Sequence, residues 1–115
     1  MVGSSTGFDI DKFVAEYIDS LVSWALIVFY RENPGARDRA GELALRLGRH
    51  IADVERAAEK LADKGVLKRL KIDSDIIYAY EPEETIRDQI DEFVRSLDDR
   101  EVRLSVLSSV LGKLG

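Results

Sequence analysis

Apolar residues recur at helical spacing along most of the chain, and the places where that spacing breaks divide it into elements. From Asp11 to about Glu32, Phe13, Val14, Tyr17, Ile18, Leu21, Val22, Trp24 and Ala25 form a broad stripe, and the run from Trp24 to Tyr30 is apolar on every side. Steps of three and four residues place side chains on one helical face, so this segment is predicted to be a single helix within 8–32, buried all round. Asn33-Pro34-Gly35 ends it, because proline lacks an amide hydrogen and glycine turns the chain freely. Ala40, Leu43, Ala44 and Leu47 mark a second helix that stops at Gly48. A third sets Val54, Ala57, Ala58 and Leu61 inward, leaves Arg49, Asp53, Arg56, Glu59, Lys60 and Asp63 outward, and closes at Gly65.

The period then changes from 3.6 to two. Leu67, Leu70 and Ile72 precede the polar triplet Asp73-Ser74-Asp75, and Ile76 and Tyr78 follow it, which predicts a β-hairpin around a tight turn. Pro82 with Glu83 and Glu84 starts another helix, since proline and acids suit a first turn, and Ile86, Ile90, Phe93, Val94 and Leu97 give its inner face. After Asp98-Asp99 a last helix carries Val102, Leu104, Val106, Leu107, Val110, Leu111 and Leu114. Residues 1–7 are rich in Gly, Ser and Thr and read as a disordered tail or a cloning residue. Residues 8–115 then form one domain, made of a first helix (8–32), a central unit (36–80) and C-terminal helices (82–115).

The central order of helix, turn, helix and wing resembles the winged helix-turn-helix domains of bacterial and archaeal transcriptional regulators of the MarR or ArsR kind. The resemblance is carried by GELALRLGRHIADVERAAEKLADKGVLKRL, from Gly41 to Leu70: a leucine-rich positioning helix, a short turn, a recognition helix, a glycine, two apolar residues and a basic strand. It implies a mainly α fold with a small β-hairpin and flanking N- and C-terminal helices. The implied function is sequence-specific binding of double-stranded DNA by a homodimer, with the recognition helix in the major groove and the hairpin on the adjacent backbone. On that resemblance His50, Ala52, Arg56 and Lys60 are candidates for reading bases, where arginine pairs bidentately with guanine. Arg37, Arg39, Arg49, Lys68, Arg69 and Lys71 are candidates for holding phosphates and setting register.

Charge divides unevenly along the chain. The formal net charge is −5, yet residues 31–72 hold eleven Lys and Arg against seven Asp and Glu, a local excess of +4 on the segment where phosphates would lie. Within it the recognition helix is neutral, because Asp53, Glu55, Glu59 and Asp63 face Arg49, Arg56, Lys60 and Lys64. A helix of mixed charge also suits a protein partner, so the alternative is a winged-helix interaction module within a larger assembly.

Two apolar surfaces exceed what a small domain can cover. Trp24 and Val28 on the first helix, with Leu104, Leu107, Val110, Leu111 and Leu114 on the last, are candidates for a homodimer interface; the last helix folding back on the first of its own chain is the other way to cover them. Tyr17, Trp24 and Tyr30 are candidates for lining a small-molecule effector cavity between dimer halves, or for plain core.

Composition narrows the chemistry. With no cysteine and a single histidine, disulfides, thiolate metal sites and multi-histidine sites within one chain are excluded. No Gly-rich phosphate loop, serine elbow or HExxH pair is present, and the Glu83-Glu84 and Asp98-Asp99 pairs stand where helix starts want acids. No enzyme activity and no cofactor are expected. The longest apolar run is too short to span a bilayer, so a soluble cytoplasmic protein is expected and no membrane partner. Charged residues make up 34% of the chain while Asn33 and Gln89 are the only amides, a balance that fits a protein of a hot environment.

Overall fold

A computed structural model describes residues 8–114; the expected tail at 1–7 and the side chain of Leu114 lie outside the described residues. Six helices and three strands follow in the order α1 (Ile10–Tyr17), α2 (Leu21–Glu32), β1 (Arg37–Asp38), α3 (Ala40–Leu47), α4 (Ile51–Asp63), β2 (Leu67–Ile72), β3 (Asp75–Tyr80), α5 (Glu84–Ser96) and α6 (Arg100–Leu114). This is a winged helix: mostly helical, with a small antiparallel sheet folded against a helix-turn-helix.

The first helix is two helices, a departure from the single element the apolar stripe predicts. They meet at 107° across Ile18, Asp19 and Ser20. Local hydrogen bonding makes the corner. Ser20 Oγ accepts from the Ser23 amide and Ser23 Oγ accepts from the Ser20 amide, both at 3.1 Å, a reciprocal cap that starts α2 afresh. The stripe runs on through the bend because Ile18 is fully buried at the corner. Lys113 of α6 donates to the Val14 and Ile18 carbonyls at 3.0 and 2.7 Å, at the end of α1 where the Val14 oxygen also accepts the Ile18 amide. The last helix thus does fold back on the first.

The turn between α3 and α4 rests on Gly48 at φ 65°, a left-handed conformation that a side chain would strain. The sheet has a third strand beyond the expected hairpin. Its order is β1-β3-β2, with Arg37 opposite Ala79 and Asp38 opposite Tyr78 on one side of β3, and Leu67 opposite Tyr80 through Ile72 opposite Asp75 on the other. The wing therefore turns on two residues, Asp73 and Ser74. Asp73 takes φ 58°, which a short polar side chain tolerates.

One core joins all six helices. Leu26, Tyr30, Leu43, Val54, Ala58, Leu61, Ile90 and Phe93 are at its centre, and Tyr30 donates its hydroxyl to the Tyr78 carbonyl at 2.9 Å, fixing α2 to the sheet. Val106 and Val110 belong to this core as well. Val110 is therefore not available to a second subunit, and of the expected interface residues Leu104 and Leu111 stay exposed, while Leu107, Trp24 and Val28 are half-buried. Among the described residues no single helix is long and apolar enough to cross a membrane.

Candidate nucleic-acid interface

Helix α4 packs Val54, Ala57, Ala58 and Leu61 against the core and leaves Ile51, Ala52, Glu55, Arg56 and Lys60 exposed. His50 occupies its N-cap position without a side-chain capping bond. Between the exposed flank of α4 and the wing runs an open groove of about 740 Å³, floored by Tyr78 and edged by Ile51, Ala52, Glu55 and Arg56 on one side and Ser74, Asp75 and Ile76 on the other.

The wing is tied to α4 by a small network. Arg69 Nε lies 2.8 Å from Glu59 Oε1, its guanidinium also donates to the Glu59 carbonyl at 3.1 Å and to Asp63, and Tyr78 gives its hydroxyl to the same Glu59 carboxylate. Burial, and then the Glu59 carboxylate, push the Tyr78 hydroxyl well above its ordinary pKa, so it stays protonated and donating. Arg69, a phosphate candidate from sequence, is turned inward onto two carboxylates. Glu59 and Tyr78 are the parts of this tie that the sequence pattern leaves out: it sets Tyr78 on a hairpin strand and Glu59 on the outer face of its helix, and nothing local links them.

The other candidates separate. Of the base readers, Ala52 and Arg56 edge the groove, Arg56 with its guanidinium 3.1 Å from Asp53. His50 lies instead beside Arg49, Leu45 and Val22 at the corner where α4 begins. Lys60 points to the α1–α2 corner and pairs with Asp19 at 2.8 Å. Burial acts to raise the Asp19 carboxyl, and the Lys60 ammonium together with hydrogen bonds from Ser23 and the backbone outweighs it, holding the group below its ordinary value. Of the phosphate candidates, Arg37 and Lys68 both stand opposite Ala79, so they share one sheet face, where Glu81 takes both at 3.7 and 3.8 Å. Arg39 pairs with Asp75 at the groove edge, at 3.4 Å. Arg49 and Lys71 have no charged partner among the described residues. Lys71 is two residues from Arg69 and opposite Ile76, which places it on the wing face that looks toward α4.

Tyr17, Trp24 and Tyr30 do not share a cavity. Tyr30 is wholly buried, Trp24 lies edge-on to Phe93 with ring centroids 6.4 Å apart, and Tyr17 lines a different groove, between α1 and α5. Asp99 accepts from the Glu101 amide at 2.9 Å, as a helix-start residue does.

A solved structure shares this fold. It is that of a "possible transcriptional regulator" from Methanosarcina mazei Go1, 21% identical in sequence, superposing with a TM-score of 0.58 over 81% of this chain and 82% of that one. No protein-family model matches the sequence, and the comparison with curated proteins gives no match.

Proposed function

We propose that this protein is a homodimeric transcriptional regulator, of the MarR or ArsR kind, that binds double-stranded DNA sequence-specifically, with α4 in the major groove and the wing on the backbone beside it. The observation that carries the reading is the pair of uncommitted cations, Arg49 before the first turn of α4 and Lys71 on the groove-facing side of the wing, flanking an exposed helix of the width a major groove admits. The name of the Methanosarcina protein of like fold points the same way. Arg56 is the base reader this geometry favours, since it alone of the four base-reading candidates puts a guanidinium at the groove. Exposed ion pairs such as Arg56 with Asp53 are worth at most about 1 kcal/mol, so a duplex can take the arginine over at modest cost.

Selection from random duplex DNA is expected to enrich a palindrome, as a two-fold symmetric reader requires. Arg49→Ala and Lys71→Ala are each expected to weaken all duplexes alike and to lower the slope of log affinity against log salt by about one. Lys68→Ala, on the far sheet face, is expected to leave that slope unchanged; a loss equal to that of Lys71→Ala would place the backbone on the wrong side of the wing.

A second reading has its own support. Ile51 and Ile76 are 53% and 43% exposed on the two walls of the groove, and most of the cations around it are already met by carboxylates. Such a surface suits an apolar protein partner. Absence of duplex binding above background at low salt would favour it over DNA.

A further inference from the structure

A second groove, of about 770 Å³, lies away from α4, between α1 and α5. Its wall is aromatic. Phe8 and Tyr17 are half-buried in it, backed by Phe13, whose ring centroid lies 6.0 Å from Phe8 and 4.9 Å from Tyr17. Five carboxylates line it against two cations, Lys12 and Arg95; Arg95 is engaged by Glu92 at 3.1 Å, Asp91 pairs with Arg31 at 3.2 Å, and Asp9 caps the start of α1. Glu16 and Asp88 face the groove with no ion-pair partner among the described residues. Burial, and next the Glu16 charge, raise the pKa of Tyr17, which keeps its ring neutral and its face electron-rich at any physiological pH.

Aromatic faces beside uncompensated carboxylates are the chemistry that selects a cation with an apolar body. The ring quadrupole attracts positive charge, the apolar body replaces water on the rings, and the excess of carboxylates over cations disfavours an anion of the same shape. We propose that the α1–α5 groove binds a lipophilic organic cation, its apolar body against Phe8 and Tyr17 and its charge toward Glu16 and Asp88. This site stands independently of the DNA reading. It is also one helix removed from α4, because the C-terminal end of α1 is held to that helix by Lys64, which donates to the Glu16 carbonyl, and by the Lys60–Asp19 pair just beyond it.

Titration calorimetry on the full chain tests it with two probes of one shape and opposite charge, tetraphenylphosphonium and tetraphenylborate. The phosphonium is expected to bind saturably, one per chain, and the borate not to bind. Glu16→Gln with Asp88→Asn, both at exposed positions and expected to leave the circular dichroism unchanged, should weaken the phosphonium by about tenfold or more through loss of two nearby charges. Tyr17→Leu, which keeps apolar bulk and removes the ring, should weaken it while leaving its salt dependence in place. Equal binding of the two probes, an unchanged affinity in the double variant, absence of saturable heat, or binding of basic peptides alone would each overturn the proposal.

Discussion

Phe93→Ala is expected to destabilise the folded chain by about 3–5 kcal/mol, the range for emptying a fully enclosed aromatic position. Phe93 has no solvent exposure, stacks on Phe13 of α1 with centroids 4.8 Å apart, and meets the edge of Trp24 of α2 at 6.4 Å. It is the place where three helices share one side chain, so truncation leaves a cavity bounded by rigid elements that cannot easily collapse around it. Aromatic pairing adds to the loss beyond the area buried. Urea unfolding at one fixed protein concentration measures the effect, the fixed concentration removing any contribution from assembly. A loss below about 1 kcal/mol would mean that α5 does not dock on α1 and α2 as described. Trp24 fluorescence supplies a second readout, since its indole edge rests on the ring removed.

Helices α3, α4 and α5 were legible from sequence because each has one apolar stripe, a glycine or acidic boundary, and partners close by in the chain. The corner between α1 and α2 was not, because Ile18 continues the apolar stripe through the bend; the Ser20 and Ser23 pair was the available signal. Strand β1 escaped because two residues set no period, and its partner on β3 is some forty residues away. The candidate interface was legible as a position but not as an electrostatic surface. Summing charge along residues 31–72 counts Arg37, Arg39, Lys60 and Lys68 as uncommitted, while the carboxylates that meet them, Glu81, Asp75 and Asp19, come from outside that segment. The ion pairs of Arg69 escape the sequence for a related reason. Its acceptors on α4 are near in sequence, but only strand register and the turn at Gly65 decide that it faces them rather than solvent. Neutral surfaces of this kind are assembled by topology, and a running charge sum cannot see them.

Replacing Leu104 and Leu111 together with Glu is expected to convert the proposed dimer to monomer. The two are seven residues apart on α6, hence on one face, and are 51% and 48% exposed in the single chain, whereas Val106 and Val110 on the opposite face fill its core. This division makes the test clean. Charges at Leu104 and Leu111 stay hydrated in the monomer, so the fold survives, but in an interface they would be buried without partners, at a cost of several kcal/mol. Two-fold symmetry brings each substitution in twice, so four charges enter one contact and the association should weaken by about a thousandfold or more. Light scattering across a concentration series reads the outcome, with Leu45→Glu as the control: Leu45 is 86% exposed on α3, far from α6 in the chain, and its replacement should leave assembly as it was. A double variant that still runs as a dimer would remove α6 from the interface and shift attention to the half-buried Trp24 and Val28 of α2. A wild-type chain that scatters as a monomer at micromolar concentration would dispose of the homodimer itself, and with it the palindromic operator, since a single winged helix has no symmetry to impose on DNA.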